Sequence, residues 1–166
     1  MSRTTTTTAT RAVVALGSNL GDRAATLHSA ATALAAAEGV ELVAVSTPLE
    51  NPARRIDGID PEAPAYLNAV AIVHTTLPPE ELLDLLLRIE HDHGRVRDER
   101  WGDRTLDLDL VDVGGLEVDT DRLTLPHPRA VERDFVLRPW LEVEPDAVLP
   151  GHGRVADLLA GLEADS

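Results

Sequence analysis

The stretch GRVRDERWGDRTLDLDLVDV, residues 94–113, changes character halfway along. Its first half holds Arg95, Arg97, Arg100 and Arg104 around Trp101, with Asp98, Glu99 and Asp103 offsetting three of those charges. Its second half alternates. Leu106, Leu108 and Leu110 fall on one side of an extended chain, Asp107 and Asp109 on the other. This predicts a strand over 106–113. Asp112 falls on the leucine side, so the strand is expected to end or bulge before it. Arginine is a planar, permanently charged fork for phosphate oxygens. Two carboxylates about 6.8 Å apart along a strand can lean together toward metal ions, which in two-metal sites lie about 3.5–4 Å apart. A cationic loop beside an acidic strand therefore suits a metal–nucleotide complex. Taken singly, each half has a plainer reading, as a surface loop with internal ion pairs or a solvated strand face.

Upstream, PPEELLDLLLRIE (78–90) starts as a helix should, with proline in the first turn and acids near the positive end of the dipole. Leu82, Leu85, Leu86 and Ile89 form its buried stripe. Glu90 falls in the last turn, where the dipole disfavours a carboxylate, so solvent, an arginine or ligand hydroxyls would have to keep it company. Before it, YLNAVAIVHT (66–75) reads as a strand with Tyr66, Asn68, Val70 and Ile72 on one face. Residues 46–64, rich in Pro, Asp, Glu and Gly, read as a long loop. Val40–Val45 is a strand. RAVVAL (11–16) is a buried strand that runs through GSNLGDR into a helix with Leu27, Ala30, Ala31 and Leu34 at helical spacing, and Gly39 sits at its C-cap. The glycines at 17–21 lack P-loop spacing, so a Walker nucleotide site is not expected. They read either as a strand-to-helix turn or as a backbone lining for a ligand.

This order predicts an α+β protein: a ferredoxin-like βαββαβ core, an antiparallel sheet with helices packed on it, plus a C-terminal extension. The extension holds His127 in LPHPR, a mixed helical stretch over 131–143 and a short helix over 155–162. Residues 1–11 are expected to be a flexible tail and 12–166 a single domain.

The chain has 166 residues and a net charge of −14, which argues against a nucleic-acid partner. All fifteen basic residues are arginine, so a phosphate ligand needs a local cationic focus. There is no cysteine, and no apolar run approaches the roughly 18–20 residues of a spanning helix. A cytoplasmic protein with no membrane partner is expected. Tyr66 and Phe135 are the only tyrosine and phenylalanine. Such rings can sandwich a heterocycle whose edge an asparagine amide would read. Alone, each reads more readily as core. Trp101 reads as a loop anchor, and a lone His127 as structural.

Five blocks together resemble one family: ALGSNLGDR (15–23), YLNAV (66–70), PEELLDLLLRIE (79–90), GRVRDERWGDRTLDLDL (94–110) and LTLPHPR with ERDFVLRPW (123–140). It is the 6-hydroxymethyl-7,8-dihydropterin pyrophosphokinase family of folate biosynthesis. The resemblance implies transfer of pyrophosphate from ATP to the pterin's hydroxymethyl group, with release of AMP and use of two Mg²⁺ ions. It implies metal ligation by Asp107 and Asp109, and catalytic roles for them with Arg95, Arg97 and Arg104. It implies pterin contacts from Tyr66, Asn68, Trp101 and Phe135. It places Glu90, Arg97, Arg100, His127 and Arg133 around the nucleotide. A monomer is expected, with ATP and the pterin as its small-molecule partners. A plain kinase, or a binding module without turnover, are the competing readings. Asp98–Glu99 stand where the family commonly has a basic residue, which predicts weaker ATP binding.

Overall fold

In the computed structural model, β1 (Thr10–Ser18) leads to α1 (Arg23–Ala36), β2 (Val40–Val45) and β3 (Leu49–Asn51). A small hairpin, β4 (Arg54–Arg55) and β5 (Gly58–Ile59), precedes β6 (Tyr66–Thr75) and α2 (Pro79–Glu90). A π-turn (His91–Arg95), β7 (Asp107–Val113), β8 (Val118–Asp119), β9 (Thr124–Leu125) and a 3-10 turn (Ala130–Glu132) follow. The chain closes with α3 (Asp134–Val143), β10 (Val148–Leu149), β11 (Gly153–Arg154) and α4 (Val155–Ala164). The structure describes residues 9–18, 23–51, 54–55, 58–59, 66–95 and 106–164. Strand β1 begins at Thr10, within residues 1–11 expected to be a tail, and takes in Arg11, which the strand reading of RAVVAL already included.

Ala12, Val13 and Val14 are wholly buried because β1 lies inside a sheet of order β2-β6-β1-β7. All its pairings are antiparallel, and β3 adds a fifth strand against the far half of β6. The long loop expected over 46–64 is thus corrected: it contains β3 and the β4–β5 hairpin. The reason is local. Ser46 exchanges main-chain and side-chain hydrogen bonds with Val70, so the chain stays against β6 after β2 ends. Leu49–Asn51 then pairs with Tyr66–Asn68.

Each face of the sheet has its own core. Ala12, Val14, Leu16, Ala69, Ala71 and Val73 meet Leu27, Ala30 and Leu34 of α1 and Leu82, Leu85, Leu86 and Ile89 of α2. On the other face Val13, Ala15, Val70, Ile72 and Val111 meet Val136, Leu137 and Trp140 of α3 and Val155 and Leu159 of α4. The alternation read from residues 66–75 is the alternation found. Helix α1 ends at Ala36, and Gly39, expected at its C-cap, instead sits in the turn into β2 at φ +84°, a conformation L side chains rarely adopt.

The β1–β7 register shifts by one residue, between Leu110 opposite Val14 and Asp112 opposite Val13. Val111 is the extra residue of a bulge, one of the two outcomes expected before Asp112. The bulge turns Asp112 off the leucine face. There its buried carboxylate lies 3.8 Å from Arg11 and accepts the Gly115 N–H at 3.2 Å.

Arg11 also pairs with Glu144, which accepts a bond from Trp140 Nε1 at 2.9 Å. Burial pushes the Glu144 carboxyl up, but the bonds from Arg11 and Trp140 outweigh it and hold the group below its ordinary 4.5. Asp112 moves the other way, raised above 3.8 by burial against Arg11. Because the folded pKa of Glu144 is depressed, its contribution is full above the unfolded value and disappears as pH falls through the folded one. Glu144→Gln is therefore expected to lower stability at neutral pH and to flatten its fall below about pH 4.5. Denaturant midpoints at neutral and acid pH check this; parallel acid limbs in the two proteins would refute it. Asp112 contributes with opposite sign, since its protonation relieves the burial of a charge.

Candidate active site

Three strands align one face of the sheet end. Asn68 of β6 lies opposite Gly17 of β1, and Gly17 lies opposite Asp107 of β7. One step further in, Val70, Ala15 and Asp109 form the next row. Val70 and Ala15 belong to the core under α3 and α4, so Asn68, Asp107 and Asp109 share that face. Tyr66 is placed two positions before Asn68, opposite Asn51. Gly17 makes room for this packing: a Cβ there would sit 3.0 Å from the Asn68 side-chain oxygen, which would have to give by a few tenths of an ångström. Asn68 is 7% exposed.

Asp109 is half-exposed, and two groups from the segment before α3 face it. Arg133 Nη1 donates to Oδ2 at 3.5 Å, and His127 Nε2 lies 4.0 Å from Oδ1. His127 is held by its own N–H on the Val111 carbonyl at 2.9 Å. Its Nδ1 accepts the Arg129 main-chain N–H at 3.1 Å, which leaves the proton of the neutral ring on Nε2, facing Asp109. Burial lowers the His127 pKa below its ordinary 6.5; Asp109 opposes this, and Arg133 and Arg129 add to it. The ring is neutral at pH 7. Arg129 acts here through its backbone, which no reading of side-chain types would reveal.

Arg133 also lies over the Phe135 ring, 5.7 Å from the guanidinium carbon to the centroid, within cation–π range. One arginine therefore borders both the carboxylate site and an aromatic ring. Phe135 itself is part-buried in the first turn of α3. Helix α3 is fixed from its other end, where Glu142 accepts the Thr47 N–H at 2.9 Å and the Thr47 hydroxyl. Sequence could not bring Phe135 to the Asn68 face; the packing of α3 on β6 does.

Glu90 is 6% exposed, and its Oε2 accepts the Leu108 N–H at 2.6 Å. The sequence reading offered it solvent, an arginine or a ligand hydroxyl; the structure supplies a main-chain donor. Arg95 ends the π-turn after α2. Arg97, Arg100, Trp101 and Arg104 lie outside the described residues. Among the described residues no three acidic or imidazole groups converge as a metal cage. The donor set offered by the strand is two carboxylates. That fits Mg²⁺, which typically takes one or two protein carboxylates and fills its shell with water and phosphate oxygens.

Residues 13–145 match the model of the 7,8-dihydro-6-hydroxymethylpterin-pyrophosphokinase (HPPK) family. Among curated proteins, a 2-amino-4-hydroxy-6-hydroxymethyldihydropteridine pyrophosphokinase of Methylorubrum extorquens is 42% identical over 154 residues, 93% of this chain and 94% of that protein. One of Haemophilus influenzae is 40% identical over 149 residues, 89% and 90% of the two chains. One of Pseudomonas aeruginosa is 42% identical over 151 residues, 90% of each. Among solved structures, an HPPK-DHPS in complex with substrates superposes with a TM-score of 0.75 at 11% identity, over 95% of this chain and 44% of that one. Wild-type Plasmodium falciparum HPPK-DHPS gives 0.69 at 12% identity, over 92% and 41%. The chain spans less than half of these longer structures, and the likeness to them is one of fold.

Proposed function

As a member of the 7,8-dihydro-6-hydroxymethylpterin-pyrophosphokinase family, the chain transfers pyrophosphate from ATP to 6-hydroxymethyl-7,8-dihydropterin in folate biosynthesis, and we propose that it does so at the sheet end bearing Asn68, Asp107 and Asp109. The observation that carries this placement is the row Asn68–Gly17–Asp107, which sets a heterocycle-reading amide two strands from a carboxylate pair. Strand order β2-β6-β1-β7 supports reading the core as ferredoxin-like, with α3 and α4 as its extension. We propose residues 12–166 as one domain, working as a cytoplasmic monomer. Among the described residues no helix is long and apolar enough to cross a membrane.

In this reading Asn68 binds the pterin edge, with Tyr66 and Phe135 on the ring faces and Trp101 covering it. Asp107 and Asp109 would hold two Mg²⁺ ions, which supply charge neutralisation at the phosphates. Arg95, Arg97, Arg104 and Arg133 would bind phosphate oxygens, and neutral His127 would donate through Nε2. Arg100 borders the nucleotide side. The hydroxymethyl oxygen bonds to the β-phosphorus, its proton is lost, and the bridge to the α-phosphate breaks, releasing AMP. Positioned donors facing the growing charge would supply most of the rate enhancement.

The test is product identity. With ATP, Mg²⁺ and 6-hydroxymethyl-7,8-dihydropterin, AMP should form only when pterin is present, with an equal amount of pterin diphosphate. ADP would make the chain a plain kinase, and ATP binding without turnover a binding module. Gly17→Ala probes the amide. Its methyl group would push the Asn68 amide by a few tenths of an ångström, so the pterin KM should rise severalfold, up to about tenfold where a hydrogen bond is lost, with ATP KM unchanged. An unchanged pterin KM would count against Asn68 as a pterin contact.

A further inference from the structure

We infer that Glu90 is a positioning residue for the paired aspartates, fixing strand β7 at the one main-chain position between them. Strand β7 ends the sheet order, so an edge N–H there has no further strand of that sheet to meet. Leu108 is buried, and a buried N–H without an acceptor is costly. Glu90 reaches from the last residue of α2 and takes that N–H at 2.6 Å. Acceptance by a carboxylate makes the bond charge-assisted and short.

The location gives the bond leverage. Asp107 and Asp109 flank Leu108, and their side chains leave the backbone on the face opposite its own. A tilt of the peptide at 108 swings both carboxylates together. The main-chain bonds to β1 hold one side of the strand; Glu90 holds the other. The cost of burying a carboxylate at the unfavourable end of a helix is understandable if that bond sets the site's geometry.

The inference rests on the metal-binding role proposed for Asp107 and Asp109, and its test has an arm that needs no turnover. In the substrate-free protein, hydrogen exchange at the Leu108 amide should be slow, about tenfold faster or more in Glu90→Leu, and slow again in Glu90→Gln, whose side-chain carbonyl accepts the same N–H. In turnover, Glu90→Leu should lower kcat about 100-fold, as an ångström of misplacement can. It should also raise the Mg²⁺ concentration for half-maximal rate, with ATP KM little changed, and Glu90→Gln should recover most of both. The inference is overturned if both variants raise ATP KM equally while kcat and Leu108 exchange stay at wild-type values, which would make Glu90 a nucleotide contact. It is overturned equally if Leu108 exchanges alike in all three proteins. Should Glu90→Leu not fold, Glu90→Gln decides: a protected amide with near wild-type kcat and ATP KM supports the inference, and a raised ATP KM alone overturns it. A wild-type protein that makes no AMP would instead defeat the pyrophosphokinase reading and leave the exchange result standing.

Discussion

Asp107→Ala and Asp109→Ala are each expected to lower kcat about 10³-fold or more, because each would remove a proposed ligand of the Mg²⁺ ions that neutralise the phosphates. Neither change should unfold the protein. The Asp109 side chain is 44% exposed, and its contacts to Arg133 and His127 are long, 3.5 and 4.0 Å. Thermal unfolding should stay within a few degrees of wild type, while AMP release falls to background. Asp109→Asn separates charge from shape: it keeps an acceptor for Arg133 but is a poorer cation ligand, and should be nearly as inactive. A folded alanine variant with the wild-type rate would refute the metal assignment.

Trp140→Ala is expected to cost about 3–5 kcal/mol of stability, the range for emptying a large buried aromatic site. Trp140 is wholly buried in the core between the sheet and the α3–α4 layer. Its loss leaves a cavity, and Glu144 loses the indole donor while keeping Arg11. Urea unfolding gives the value, and a loss below about 1 kcal/mol would mean that α3 adjusts freely on the sheet. Phe135 and Arg133 sit at the start of that helix, so the pterin KM should rise as well, at temperatures where the variant is still folded.

The elements with strong period were legible. In Tyr66–Thr75 the alternation assigned Val70 and Ile72 to one core and Ala69, Ala71 and Val73 to the other, because side chains of a strand have no third direction to take. The Asp112 bulge was legible for the same reason, as a charge on the wrong side of the period. Strand β3 was not: Leu49–Asn51 is too short to carry a pattern, and it is a strand only because β6 extends past the end of β2. The partner of Glu90 and the tautomer of His127 were hidden because each depends on a main-chain N–H, which carries no residue identity. The row Asn68–Gly17–Asp107 needs a register, and register is a relation between distant segments. The roles proposed for Arg97, Arg100, Trp101 and Arg104 stay on their motif positions, outside the described residues.

That row also acts as a ruler. Asn68 and Asp107 stand on strands two apart, separated by two inter-strand spacings, about 9.6 Å. The figure is set by backbone hydrogen bonding and not by any side chain. On the roles proposed for Asn68 and Asp107, that backbone spacing limits the distance between the ring and the reacting oxygen. A substrate with a longer arm between them would then misplace that oxygen unless a side chain of different length made up the difference. On those roles, discrimination by length would come from the sheet, and discrimination by chemistry from the residues that decorate it.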